Sequence, residues 1–114
     1  MHEVGLMQQA VDIALAHATR HGAKTIHRMR MRVGNLSGVV PEALEFAFDV
    51  VVRGTIAAGA TLEVETVPVS CYCHNCNLQF EPVDLFYQCH QCHQISTLDV
   101  LCGRELELAS LEVS

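Results

Sequence analysis

The residues CHNC at 73–76 and CHQC at 89–92 decide the fold of this chain. Each is a CxxC knuckle, in which two intervening residues allow one tight turn to point both sulfur atoms at the same ion. Twelve residues separate the knuckles, which lets both turns meet on one tetrahedral ion with Zn–S distances of about 2.3 Å. The predicted ligands of one structural zinc ion are Cys73, Cys76, Cys89 and Cys92.

The knuckles admit other interpretations. A closed set of four protein ligands leaves no coordination position for water, which predicts a structural ion and not a hydrolytic catalyst. A dithiol oxidoreductase would need one CxxC at the start of a helix that follows a strand, whereas two copies lie here in turn-rich sequence. The neighbouring His74, His90 and His93 could each replace a cysteine, but solvent exposure is the simpler interpretation.

The segment 71–102 is predicted to be an inserted zinc-binding domain that needs its metal to fold. Its apolar residues are too few to fold roughly 30 residues without a cross-link, so zinc would supply the folding free energy. The bulky apolar residues of the linker between the knuckles are Leu78, Phe80, Leu85, Phe86 and Tyr87. Cys71 and Cys102 bracket the segment, and we interpret them as reduced thiols at its neck, with pairing under oxidation as the alternative.

Outside this segment, the spacing of apolar residues predicts two helices and three strands. The helices cover 4–21 and the residues from Pro41 to Gly54, and the strands cover 26–33, 61–69 and 104–113. In the last strand, Leu106 and Leu108 are out of phase with Leu111 and Val113, which predicts a β-bulge near Ala109.

The predicted fold class is therefore α+β. A three-stranded sheet with two helices forms one domain from residues 1–70 and 103–114, and a zinc-ribbon-like module of two CxxC knuckles is inserted at 71–102. In the first strand, His27, Met29, Met31 and Val33 are predicted to share one face. Arg28, Arg30 and Arg32 are predicted to share the other. The arginines suit a phosphate or an acidic partner, but a solvated strand face that discourages edge pairing is the preferred interpretation.

Composition limits the function classes. The chain has 114 residues, with seven Lys and Arg against 13 Asp and Glu, and no Lys or Arg lies between Arg53 and Arg104. Nucleic acid is therefore an unfavourable partner. No apolar run approaches the roughly 20 residues that span a bilayer, and no signal-peptide layout opens the chain. We predict a soluble cytoplasmic protein without a membrane partner, in which reduced cysteines favour metal binding over disulfides.

Two groups of residues that contain histidine could bind a second metal ion in addition to zinc. His17 and His21 lie four residues apart on the first predicted helix, but exposed histidines near a helix C-terminus are the preferred interpretation. At the start, MHE at 1–3 places the terminal amine, the amide of residue 2 and the His2 imidazole within chelate reach of one cation. Such nitrogen-rich planar sets favour Ni(II) or Cu(II). Taken alone, a histidine at position 2 is ordinary.

The combination of MHE at 1–3, VGNLS at 33–37, the paired knuckles, GREL at 103–106 and LEV at 111–113 resembles the HypA/HybF family of hydrogenase maturation proteins. The resemblance implies a nickel metallochaperone that works with the GTPase HypB. It would deliver transiently bound Ni(II) to the large subunit precursor of [NiFe]-hydrogenase. Some relatives also take part in urease maturation, which implies urease maturation proteins as further partners. The implied nickel site is Met1, His2 and Glu3, with structural Zn(II) at the knuckles.

The main alternative is a zinc-ribbon adaptor that binds another protein without carrying nickel. Catalytic motifs such as a phosphate loop, a Ser/His/Asp set or paired carboxylates do not stand out, so we expect no enzyme and assign no catalytic residue. The sequence leaves a monomer and a homodimer equally open.

Overall fold

The computed structural model describes residues 2–82, 88–95 and 98–114, without the side chain of His2. Predictions that concern Met1, Leu85, Phe86 and Tyr87 lie outside this part of the chain. The described elements are α1 (His2–Arg20), β1 (Ile26–Gly34), α2 (Pro41–Val51), β2 (Thr61–Val67), β3 (Ser70–Cys73), β4 (Leu78–Phe80), β5 (Leu98–Cys102) and β6 (Leu106–Val113). None of the described helices has the length and apolar character needed to cross a membrane.

The first sheet has the strand order β2-β1-β6. β1 is the central strand, parallel to β2 and antiparallel to β6. Arg30 lies opposite Ser110 while Met31 lies opposite Leu108, so Ala109 is an extra residue in β6. The predicted three-stranded sheet, its two helices and the bulge at Ala109 are confirmed. β2 ends at Val67, immediately before Pro68, because proline has no N–H group to donate to a neighbouring strand.

One face of the first sheet is covered by the two helices. Met29, Met31 and Val33 of β1 are at most 2% exposed, and they pack with Val11 of α1 and Phe48 of α2 in one apolar core. α2 begins with Pro41, whose missing N–H costs nothing at the first helical position. The period-two burial of β1 therefore positions both helices on the same side of the sheet.

At its start, β1 departs from the predicted alternation. Ile26 is buried, whereas His27, which was predicted on the methionine face, is exposed. The cause is a shift in the register between β1 and β6 at Ile26 and Arg28. The ring of His27 instead lies 2.6 Å from the Ser114 hydroxyl.

The other face of the first sheet carries charge in rows. Three arginines of β1 alternate along its exposed face and form ion pairs with glutamates of both neighbouring strands. The pairs are Arg28–Glu63 (3.4 Å), Arg28–Glu112 (3.5 Å), Arg30–Glu63 (3.2 Å), Arg32–Glu65 (2.8 Å) and Arg32–Glu107 (3.1 Å). Because β1 is central, protection of a sheet edge was the wrong explanation for these arginines.

A second sheet, β4-β3-β5, contains the segment between the large strands and is antiparallel throughout. Its three strands were not predicted. They have only three to five residues each, so their apolar alternation is too short to be distinguished from loop sequence.

The two sheets meet where residues 34–36 run beside residues 103–105. The amide of Gly34 donates to the carbonyl of Glu105 (2.7 Å), and the amide of Leu36 donates to the carbonyl of Gly103 (2.6 Å). A Cβ atom on Gly34 would lie 2.1 Å from the Gly103 carbonyl oxygen, and Gly103 itself has φ +119°. Neither position can accept a side chain without movement of the backbone.

Candidate metal centres

The first knuckle follows directly from the end of β3. Cys73 is the last residue of that strand, and Cys76 lies in the turn that leads into β4. Asn77 closes this turn with φ +51°, a left-handed conformation that asparagine adopts more readily than most residues. A strand end and a tight turn thus hold both sulfur atoms on the same side of the chain.

The second knuckle is a turn closed by its own backbone. The amide of Cys89 donates to the carbonyl of Gln94 (3.1 Å), and the amide of His93 donates to the carbonyl of Cys89 (2.9 Å). The amide of Gln91 points at the Cys89 sulfur at 3.4 Å. Hydrogen bonds of its own backbone thus hold the turn that carries Cys89 and Cys92.

The structure brings the four predicted cysteines together. Their sulfur atoms all lie within 4.8 Å of one another. Cys73 and Cys92 are 3.7 Å apart, and Cys76 and Cys89 are 3.9 Å apart. A tetrahedron with Zn–S bonds of about 2.3 Å has S···S edges of about 3.8 Å, so these spacings fit one zinc-sized ion.

The thiols of this cluster perturb each other. Burial, followed by hydrogen bonds with neighbouring thiols, raises the pKa of Cys76 to about 12. The pKa of Cys92 is lowered, first by a hydrogen bond from the Gln94 backbone and then by the Asn75 side chain. Four thiolates in one place repel each other unless a cation is present. The donor set is therefore suited to a soft divalent metal that displaces the remaining protons.

The histidines beside the knuckles contact other groups. His74 lies 2.5 Å from the Asp99 carboxylate and meets the ring of Tyr72 edge-on at 5.0 Å. The ring of His90 lies 4.7 Å from that of Phe80. Among the described residues, the group able to hold a metal contains the four cysteines and no histidine. His17 near the end of α1 and His21 in the turn after it are both exposed. No described third ligand joins them in a group that could hold a metal.

Cys71 and Cys102 lie outside the cluster, on the adjacent strands β3 and β5. Cys71 is opposite Val100 and is fully buried, whereas Cys102 is opposite Ser70 and is partly exposed. Both are free thiols, and the Cys102 sulfur lies 3.4 Å from the carbonyl of Pro68. Burial raises the pKa of Cys71.

Iodoacetamide is expected to alkylate Cys102 well before Cys71. The Cys71 sulfur is inaccessible, and a raised pKa leaves less reactive thiolate at any given pH. Peptide mapping by mass spectrometry after timed alkylation of the zinc-loaded protein measures both rates. Equal labelling of the two residues would contradict this packing.

Two of the three predicted nickel residues, His2 and Glu3, lie at the start of α1. The helix begins at His2, and Glu3 is an acidic residue of its first turn. Met1 and the imidazole of His2 are outside the described part of the chain, so the geometry among these three residues stays a prediction. The sulfur cluster is built on β3 and the second knuckle, on different elements from this end of α1.

Comparison with known proteins decides the family. The family described as hydrogenase/urease nickel incorporation, metallochaperone, hypA matches residues 1–113. The chain belongs to the HypA family. The match contains the opening three residues and both knuckles, so the resemblance predicted from those motifs is confirmed. HypA proteins are maturation factors of the metallochaperone class, which move metal ions and are not a class of catalysts.

Individual HypA relatives are similar over their whole length. The chain is 53% identical over 113 residues to a hydrogenase maturation factor HypA of Picosynechococcus sp., covering 99% of each chain. It is 36% identical to that of Trichodesmium erythraeum, covering 99% of this chain and 96% of the relative.

Solved HypA structures share the fold. A solution structure of HypA protein matches with a TM-score of 0.74 and 25% identity, covering 100% of this chain and 97% of that one. The nickel metallochaperone HypA of Helicobacter pylori matches with a TM-score of 0.66 at 24% identity, covering 97% and 96%, and supports the fold alone. The arrangement of helices and sheets is therefore that of the HypA fold.

Proposed function

We propose that this protein carries Ni(II) in the cytoplasm and delivers it for assembly of the [NiFe]-hydrogenase active site. The observation that carries the proposal is the family match over residues 1–113 of a chain that opens with MHE. Its partners would be the GTPase HypB and the hydrogenase large subunit precursor. The family description also includes urease, so urease maturation proteins are the alternative recipients.

Nickel would be bound by Met1, His2 and Glu3. The terminal amine, the amide nitrogen of His2 and its imidazole supply nitrogen donors of the kind that Ni(II) prefers. Because α1 begins at His2, the amide of His2 has no acceptor inside the helix. Its nitrogen can therefore bind nickel without breaking a hydrogen bond of the helix. A cation at a helix N-terminus is disfavoured by about 0.3–1 kcal/mol. The negative charge of Glu3 in the first turn offsets that cost.

Zinc would remain at the four cysteines while nickel passes through. A closed four-sulfur set has no vacant position for an incoming ligand, whereas a chelate at a chain end can be transferred by ligand exchange. We accordingly propose a nickel-binding domain of residues 1–70 and 103–114 and an inserted zinc-binding domain of residues 71–102. The second sheet and its sulfur cluster support this division.

An N-terminal extension tests the nickel site. Adding Gly-Ser before Met1 moves the charged amine away from the His2 chelate, so Ni(II) affinity should fall by about a hundredfold or more. Zinc content should not change. Protein that begins at Met1 and carries the same Gly-Ser at its C-terminus is the matched control, and isothermal titration with Ni(II) is the measurement. Equal nickel affinity in the two proteins would reject the proposed site.

A further inference from the structure

The outer edge of β6 has no strand beside it. β6 occupies one end of the order β2-β1-β6, and no described strand pairs with its far side. Its outward N–H and C=O groups therefore form a template on which an extended segment can add a strand. The bulge at Ala109 divides this edge into Leu106–Leu108 and Ser110–Val113.

Each half of the edge has an apolar cavity beside it, under α1. One cavity, of about 380 Å³, is bordered by Ile13 of α1 and by Leu106 and Leu108 of β6. The other, of about 360 Å³, is bordered by Ala18 of α1 and by residues 108–111 and 113 of β6, with His17 and His21 at its rim. We refer to the two cavities together as the α1–β6 groove. Ile13 at its border is 51% exposed, so the groove presents a large aliphatic side chain to solvent.

On the opposite face of the sheet, the charges alternate from strand to strand. β2 contributes an acidic row, β1 a basic row and β6 a second acidic row. The rows consist of Glu63 and Glu65, then Arg28, Arg30 and Arg32, then Glu107 and Glu112. Glu107 and Glu112 are 51% and 62% exposed, so their carboxylates can still accept further donors. A fourth strand that continued this alternation would be basic.

We propose that the outer edge of β6 binds an extended segment of a partner protein in which Lys or Arg alternates with aliphatic residues. The aliphatic side chains would enter the α1–β6 groove, and the basic side chains would lie against Glu107 and Glu112. Backbone hydrogen bonds to β6 would supply affinity independent of side chains. The residues of this surface are distinct from the nickel and zinc residues proposed above.

A second copy of this chain fits the same edge less well. If β6 paired with β6 of a second copy, two acidic rows that contain Glu107 and Glu112 would face each other, and like charges on paired strands are destabilising. The outer edge of β2 also carries an acidic row, but the cavity beside it is bordered by charged residues, among them Arg30, Glu45 and Glu65. The combination of apolar groove and acidic row is found at β6.

The experiment uses the full-length zinc-loaded protein and a fluorescein-labelled octapeptide that alternates arginine and valine. Anisotropy titration should show saturable binding, and an octapeptide that alternates glutamate and valine should not bind. The double variant Glu107→Lys, Glu112→Lys should bind the arginine peptide about tenfold more weakly. The matched control Glu63→Lys, Glu65→Lys makes the same charge change on β2 and should bind nearly as well as the parent.

A further variant keeps the test valid if the double variant at Glu107 and Glu112 misfolds. Ile13→Asn leaves all the ion pairs and the net charge unchanged and should also weaken binding about tenfold, because it puts a polar amide at the border of the groove in place of an aliphatic side chain. Equal loss in the β2 and β6 double variants, no loss with Ile13→Asn, or no binding to the parent would overturn the proposal. So would sedimentation that shows a dimer of the parent dissociated by Ile13→Asn, because the groove would then bind a second copy.

Discussion

Replacing Cys89 by serine should remove zinc from the protein and unfold the second sheet while the first sheet stays folded. The apolar cluster of the second sheet is small, and three of its five buried members are cysteines. Two of these, Cys73 and Cys89, belong to the sulfur cluster. In zinc-finger peptides, structural zinc contributes an apparent binding free energy of roughly 10–16 kcal/mol, which is also folding free energy. Without it, the buried residues outside the sulfur cluster, Val69, Cys71 and Phe80, cannot offset the conformational entropy of the segment.

Zinc content by mass spectrometry and amide chemical shifts by NMR measure this effect. Resonances of β3, β4 and β5 should collapse to unfolded positions in Cys89→Ser, and those of β1 and β2 should remain dispersed. Cys102→Ser is the matched control, because it removes a thiol from the same sheet but outside the cluster. Retention of zinc by Cys89→Ser, or cooperative loss of both sheets, would contradict the proposed role of the metal.

Substitution of Gly34 by alanine should destabilise the protein by about 3 kcal/mol or more. The added Cβ atom would lie 2.1 Å from the Gly103 carbonyl oxygen and 2.7 Å from the Arg104 amide nitrogen. Both are backbone atoms, so no side chain can rotate away to relieve the overlap. The amide hydrogen bonds of Gly34 and Leu36 would have to lengthen as the two sheets move apart.

Gly5→Ala is the matched control for this substitution. Gly5 lies inside α1, and a Cβ atom there meets no atom within 4 Å. Alanine should therefore stabilise the helix by about 0.5–1 kcal/mol. Urea unfolding of the zinc-loaded proteins, followed by circular dichroism, compares the three chains. A Gly34→Ala variant within about 0.5 kcal/mol of the parent would show that the junction of the sheets is not close-packed.

Much of the fold can be predicted from local sequence patterns. The alternation of Met29 and Met31 with arginines identifies β1, and the phase change between Leu108 and Leu111 locates the bulge, because both signals lie within a single strand. Pairing between distant strands is not encoded in this local way. That Arg32 meets Glu65 and Glu107 depends on registers set by the whole sheet.

The sites were predictable to different degrees. Cys73 and Cys89 each open a short CxxC repeat, and this spacing predicts a sulfur cluster without knowledge of the fold. The close approach of Gly34 to Gly103 could not be predicted, because 68 intervening residues separate two ordinary glycines. The groove beside β6 was also missed, since it depends on where α1 crosses the strand.

We propose that nickel and zinc are held by separate parts of the chain. Equilibrium dialysis against Ni(II), followed by analysis of both metals in the parent protein and in His2→Ala, tests it most directly. We expect His2→Ala to lose nickel and to keep the zinc content of the parent. Nickel occupancy that is unchanged in His2→Ala, or a loss of zinc together with nickel in that variant, would contradict it.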